Sequence, residues 1–246
     1  MEPAAYQLMR ELEDSHWWFV ARRKIIAAAL RGLGLSPKSE VLEVGCGTGG
    51  NIGLLNQFGN LTCVEQDESA ARMARLRGGA VIHPGALPDD LPEFPGLFDL
   101  VAAFDVIEHV DADAASVRTL ASLVKPGGAL VLTVPAFNFL WSRHDDENHH
   151  KRRYRKKDLE KLARLAGLET AYISYFNFWL FLPVAAVRLV RRVLPYTEPW
   201  RDMRQPGRLV NQALICIFGS ERFAMGRITL PFGISLIAVL LRGSED

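Results

Sequence analysis

The chain has 246 residues with 29 basic and 28 acidic side chains, a net charge of +1. That length suits one large domain burying about three quarters of the surface its unfolded form exposes, and the balanced charge excludes a global field that gathers nucleic acid. Three well-separated cysteines give neither a disulfide framework nor zinc spacing, and Met1–Tyr6 lacks the basic and apolar regions of a signal peptide, so a cytoplasmic location is expected.

Helical patterns over Tyr6–Glu13 and His16–Leu30, stopped by Gly32 and Gly34, open the chain and read as an N-terminal lid over residues 1–34. A cofactor-binding core follows over 35–175. Its first strand, Glu40–Val44, ends in Gly45, Gly47 and Gly49 before a helix over Asn51–Gln57. Such a strand–glycine–helix junction brings backbone N–H groups to a ligand with no Cβ in the way. Cys46 is a small filler within it.

Strand-like runs continue at Leu61–Val64, Ala80–His83, Phe98–Phe104, Ala129–Val134 and Glu169–Tyr175. Helical segments at Glu68–Arg77, Asp113–Val124 and Asp158–Gly167 alternate with them, as parallel βαβ units require. Asp67 reads as the cap of the first of these, and Pro126-Gly127-Gly128 as a tight turn into the fifth strand. Residues 176–231 form a helical insertion. Within it, Asn177–Leu194 sets Arg188, Arg191 and Arg192 opposite aromatic and aliphatic residues, and Val210, Leu214, Ile217 and Phe218 recur at helical spacing. A further apolar run, Phe232–Leu241, lies within the final segment 232–246. No apolar run reaches the ~20 residues needed to cross a bilayer.

Gly45, Gly47 and Gly50 satisfy the dinucleotide pattern G-x-G-x-x-G, and Glu65 lies where a carboxylate accepts from ribose hydroxyls. Nicotinamide and adenosine ligands both carry that ribose, so these residues leave the cofactor open. The run Glu43-Val-Gly-Cys-Gly-Thr-Gly49, then Val64-Glu65, Phe98–Val110 and Val124–Pro135, resembles the class I S-adenosylmethionine-dependent methyltransferases. His16–Arg23 and Asn148–Tyr154 look like segments of bacterial small-molecule O-methyltransferases of the ubiquinone-pathway type.

The resemblance implies an α/β fold: a seven-stranded, mostly parallel Rossmann-like sheet with helices on both faces, its last strand antiparallel and supplied by Phe232–Leu241. It implies S-adenosyl-L-methionine as cofactor and S-adenosyl-L-homocysteine as product. Gly45, Gly47 and Gly49 then pass under the methionine part, with Glu43 orienting the loop or the amino group and Glu65 on the ribose. Relatives have an acidic residue after the glycine that flanks adenine; here Ala86 follows Gly85, so backbone groups of Ala86 and Leu87 are expected there. Phe104 offers its carbonyl to the amino group and Arg23 its guanidinium to the carboxylate.

Methyl transfer is an in-line displacement, so the protein mainly supplies alignment and a dry site. His150, with His149 beside it, is the expected base toward an acceptor hydroxyl, since imidazole titrates near neutral pH and His150 fills the histidine position of H-x-R-R-Y. Asp105 is the expected ionisable group nearest the reaction centre; Glu108 and His109 read equally well as structural. Trp141 is expected on the substrate, and Arg152, Arg153 and Tyr154 are expected to bind an anionic substrate or hold the loop. The His/Asp-rich segment lacks an H-x-x-x-H pair or a cysteine, so no metal is expected.

The expected acceptor is a hydrophobic or lipid-linked small molecule, with peripheral membrane contact through 177–194 and no nucleic acid. A helical lid or dimer interface is the other reading of the insertion. Two other functions stay open: a nicotinamide-dependent oxidoreductase and a catalytically silent cofactor-binding protein.

Overall fold

The computed structural model describes residues 3–193 and 205–244, with the side chains of 3–5 and 191–193 outside that description. The remaining residues of the insertion, Leu194 to Arg204, and the Arg191 and Arg192 side chains fall outside it too.

Seven strands form one sheet in the order β3-β2-β1-β4-β5-β7-β6. They are β1 (Glu40–Val44), β2 (Asn60–Glu65), β3 (Val81–Pro84), β4 (Phe98–Phe104), β5 (Val124–Pro135), β6 (Glu169–Phe176) and β7 (Ser235–Leu241). β7 runs antiparallel to both β5 and β6, and the other pairs are parallel. The central strands are apolar along almost their whole length because both faces are covered.

On one face Val41, Cys63, Leu100, Ala102, Val131 and Ile237 pack under helix α2 (Trp17–Leu30), α4 (Glu68–Arg77) and α9 (Arg208–Gly219). On the other, Leu42, Val64, Val101, Leu130 and Leu236 pack under α5 (Asp113–Ser122) and α7 (Lys156–Leu165). The alternation of the two sets along each strand is the period of two that a doubly covered sheet demands. Helix α4 starts where expected: Asp67 Oδ1 accepts from the backbone N–H groups of Ser69 and Ala70 at 2.9 and 3.0 Å.

Two boundaries differ from the sequence reading. Pro126-Gly127-Gly128 lies inside β5, not ahead of it: Phe98 pairs with Val124 but Leu100 with Ala129, so residues 125–128 bulge opposite Asp99. Gly127 permits this with φ of +78° and its N–H donates to the Arg242 carbonyl at 2.9 Å. The last strand starts at Ser235, after an irregular lead-in.

The two N-terminal helices have different roles. α1 (Pro3–Leu12) lies over the glycine loop, whereas α2 is an inner layer with Ile25, Ile26 and Leu30 fully buried. Asn211 ties α2 to α9, accepting from Trp17 N and donating to the Ser15 carbonyl, both at 2.9 Å.

The insertion holds α8 (Phe181–Val193) and α9 between β6 and β7. Arg188, expected on a basic face opposite the apolar one, is not solvated. Its side chain is 12 % exposed and turns inward, donating to the Leu140 carbonyl at 2.8 Å. Trp179, Leu182, Leu189 and Val190 instead face solvent.

Candidate active site

In an open α/β sheet, ligands sit beyond the carboxyl ends of the strands where strand order reverses, here between β1 and β4. A cavity of about 620 Å³ opens at that edge, within the usual range for small-molecule sites. One half is lined by the glycine loop, Glu65, Gly85, Ala86 and Leu87; the other by Asp105, Glu108, His109, His149 and His150.

The glycine loop divides its tasks. Gly47, at φ of +56°, has nothing within 4 Å of where a Cβ would stand, so its open side suits close approach by a ligand. Gly49 does not line the cavity, contrary to its expected role. A Cβ there would lie 2.8 Å from Ile52 Cδ1 and 3.1 Å from Ala74 Cα, so this glycine serves packing of the loop on α4.

Glu65, at the end of β2, is buried and accepts from Gly47 N at 2.7 Å and Asp67 N at 2.9 Å. Burial raises its pKa while those backbone donors oppose the shift. Glu43 stands behind the loop, not in the cavity wall. Its Oε1 accepts from Asn51 Nδ2 at 2.8 Å, its Oε2 has no partner among the described residues, and burial lifts its pKa to about 7. Ala86 lines the cavity, but its N–H and carbonyl both pair with Asp90, at 2.7 and 3.0 Å. The backbone groups of Ala86 expected beside adenine are thus already paired within the loop; Leu87 keeps its place on the wall.

Glu13, at the end of α1, latches the lid to this half. Its buried carboxylate accepts from Thr48 Oγ1 at 2.8 Å and from Arg77. Arg23 lines the cavity and donates to the carbonyls of Glu13 at 2.6 Å and Gly50 at 3.3 Å. Arg22 faces the reaction half: its Nη2 donates to Asp105 Oδ2 at 2.5 Å and to Thr133 Oγ1 at 2.8 Å. Its guanidinium carbon sits 5.1 Å from the Trp18 ring centroid and 5.7 Å from that of Phe104, which also lines the cavity. Asp105, at φ of +57°, is thus held in an ion pair by Arg22, whereas Arg23, the arginine expected on the cofactor, turns to backbone carbonyls.

The reaction half is built around Asp145, in helix α6 (Arg143–Glu147), whose start is a Ser142–Asp145 capping box. Asp145 accepts from Arg153 Nε at 2.7 Å and Nη2 at 3.0 Å, and faces His150 Nδ1 at 2.9 Å. Burial alone would raise this carboxyl, but the bonds from His150 and Arg153 outweigh it and hold the pKa well below the usual range.

Arg153, at the cavity wall, and Tyr154 take the second of their expected roles, holding the loop, while Trp141 makes no part of the wall. Arg153, its side chain 2 % exposed, spends its donors on Asp145 and the Ala136 carbonyl. Tyr154 is buried and off the cavity, its hydroxyl on Asp113 Oδ2 at 3.1 Å and the Ile107 carbonyl. Trp141 also stands off the cavity, donating to Asp146 Oδ1 at 2.9 Å.

His149 lines the cavity and is exposed. His109 and His150 lie edge to face with ring centroids 4.8 Å apart. Burial, and then the charge of His150, lower the His109 pKa to about 4, so it is neutral at pH 7. Glu108 is fully buried with neither carboxylate oxygen partnered among the described residues, and burial, then Asp105, push its pKa well above the usual range.

Comparison with known proteins agrees with this architecture. Residues 18–173 match the family described as "Methyltransferase domain". The ubiquinone biosynthesis O-methyltransferase of Pseudomonas aeruginosa is 36% identical over 106 residues, 41% of this chain and 45% of that protein. Its counterpart in Aromatoleum aromaticum is 29% identical over 205 residues, 72% and 87% of the two chains. The first of these matches therefore spans under half of its relative. The magnesium protoporphyrin IX methyltransferase of Synechocystis PCC 6803, solved with S-adenosylhomocysteine bound, shares the fold. Its TM-score is 0.56 at 16% identity over 92% of this chain and 85% of that one. The chain belongs to the methyltransferase-domain family, in its class I S-adenosylmethionine-dependent form.

Proposed function

We propose that the protein is an S-adenosylmethionine-dependent O-methyltransferase whose acceptor is a hydrophobic or lipid-linked small molecule. The observation that carries the reading is the single cavity that joins the open face of Gly47 and the Glu65 carboxylate to the polar group at Glu108, His109 and His150. The relatives named for ubiquinone biosynthesis support an acceptor of that lipophilic kind.

The donor residues fit an adenosyl sulfonium. Gly45 and Gly47 carry the methionine part, Glu65 accepts from the ribose, Leu87 flanks the adenine, and Arg23 meets the carboxylate with donors its two backbone bonds leave free. When bound, the cofactor supplies an electrophilic methyl on positively charged sulfur. Arg22 keeps Asp105 and Phe104 in place beside it, and the lid formed by α1, latched through Glu13, keeps water out. The lone pairs that activate the acceptor hydroxyl are those gathered at Glu108, His109 and His150, and exposed His149 passes its proton to solvent.

The outward apolar side chains of Trp179, Leu182, Leu189 and Val190 support peripheral contact with a membrane that holds such an acceptor, on its cytoplasmic face. Among the described residues no helix is long and apolar enough to cross a membrane. Incubating the protein with labelled methyl donor and lipid, quinone-precursor, phenol and glycan-lipid acceptors tests the proposal. It predicts label on the oxygen of a lipophilic hydroxyl acceptor. Label on nitrogen or carbon only, or on no acceptor despite cofactor binding, contradicts it.

A further inference from the structure

The sequence offers no metal motif, yet two loops distant in the chain bring three ligand side chains together. Glu108 and His109 follow β4, and His150 follows α6. Each offers one ligand atom, and the three atoms lie within 4.8 Å of one another on the cavity wall. We propose that Glu108, His109 and His150 bind a divalent first-row transition cation that holds the acceptor oxygen. The inference rests on the O-methyltransferase reading for what the cation does, and on the side chains alone for where it binds.

Three observations carry it. Glu108 is fully buried, and both of its oxygens lack a partner among the described residues. A buried carboxylate in that condition is costly, and a cation beside it removes the cost. Each histidine already has one ring nitrogen engaged by an acceptor. His150 Nδ1 faces the Asp145 carboxylate at 2.9 Å, and His109 is hydrogen-bonded by the backbone of Asn148. Such a second bond fixes which nitrogen carries the proton and leaves the other with its lone pair for a metal. Finally, three protein ligands on a cavity wall leave coordination positions open to a substrate, the arrangement of a catalytic rather than a structural site.

Two imidazoles and one carboxylate select the cation. Magnesium and calcium take oxygen sets, whereas imidazole suits zinc, iron, cobalt and nickel. Ligand atoms at about 2.1 Å from a common centre stand at most about 4.2 Å apart, so a side-chain adjustment of roughly half an ångström closes the site. The surrounding charge permits it: Asp105 is neutralised by Arg22 and Asp145 by Arg153, leaving Glu108 as the anionic ligand.

The step balances without an oxidant. The acceptor hydroxyl binds the cation and releases its proton to water past His149. The oxygen lone pair then forms the O–C bond as the C–S bond breaks and its electron pair returns to sulfur. The sulfonium becomes a neutral thioether and the cation keeps its charge.

The test titrates cobalt(II) into chelator-stripped protein, following the visible absorption of the bound ion, with calorimetry of S-adenosylhomocysteine on the same samples. We expect one cobalt(II) per chain and at least about tenfold weaker binding in both Glu108→Gln and His109→Gln. Adenosylhomocysteine affinity should change less than about threefold in both variants, which shows that they are folded. Absence of one-to-one cobalt binding overturns the proposal, as does binding that both variants leave unchanged. Adenosylhomocysteine binding with methyl transfer that survives the chelator would overturn the cation while leaving the O-methyltransferase reading intact. Loss of adenosylhomocysteine binding by the wild-type protein would instead sink that reading, and the cobalt stoichiometry would still decide the site.

Discussion

Arg153 and His150 share one carboxylate: Asp145 Oδ1 accepts from Arg153 Nε at 2.7 Å and faces His150 Nδ1 at 2.9 Å. Because Asp145 is fully buried, its replacement by Asn leaves the Arg153 charge uncompensated inside the protein. Asp145→Asn is expected to lower stability by about 3 kcal/mol or more and to abolish methyl transfer. Chemical denaturation and a methyl-transfer assay check both. A variant as stable as wild type would show that the brace is not structural.

Gly47 and Gly49 separate binding from stability. Gly47→Ala puts a methyl into open space at φ of +56°, costing about 1 kcal/mol of backbone strain but obstructing the ligand. S-adenosylhomocysteine affinity should fall at least about tenfold with a small drop in melting temperature. Gly49→Ala meets Ile52 and Ala74 at φ of +83°, so its larger effect should be on melting temperature. Equal effects of the two on both measurements would refute the division.

Glu221 gives a pH dependence with a defined sign. It is buried in the 3-10 turn Ser220–Phe223 that follows α9 and accepts from the backbone N–H groups of Asn177, Phe178 and Trp179 at 2.7, 2.8 and 3.2 Å. Burial is the largest influence and raises its pKa from 4.5 to about 7, with those donors opposing. The folded state therefore holds a proton that the unfolded state has lost between those values. This stabilisation is complete below pH 4.5 and is lost as pH rises through about 7. Urea midpoints measured from pH 4.5 to 8 should fall more steeply with pH for wild type than for Glu221→Gln. Parallel curves would rule the effect out.

The outward face of α8 and the turn before it is expected to act in membrane contact and not in cofactor binding. Replacing Trp179 and Leu182, 58 % and 71 % exposed, by Ser should reduce co-sedimentation with phosphatidylglycerol vesicles several-fold while leaving adenosylhomocysteine affinity unchanged. Unaltered sedimentation, or none by the wild-type protein, would exclude this face.

Much of the fold was legible because its signals are local. The apolar runs Glu40–Val44 and Phe98–Phe104 and the cap at Asp67 are written in neighbouring residues. What escaped depends on distant contacts. Whether Arg22 or Arg23 turns toward Asp105 is set by how α2 lies on the sheet, which an arginine pair cannot reveal. The Glu13 latch joins residues 35 and 64 positions apart, and nothing near Glu13 announces it. Gly49 and Tyr154 stand off the cavity although several neighbours in their motifs line it, so spacing alone does not place them. The Asp145 hub had one local sign, the Ser142-x-x-Asp145 box. Glu108 and His109 gain meaning only when His150 arrives from another loop.

The function of the protein depends first on which cofactor the glycine cradle holds. Calorimetry with S-adenosylhomocysteine and with NAD, on wild type and Glu65→Gln, decides this most directly. It should show one-site adenosylhomocysteine binding that Glu65→Gln weakens at least about tenfold, since the variant loses a charged acceptor that also orders Gly47. NAD should not bind measurably. Tight NAD binding without adenosylhomocysteine binding would contradict the account.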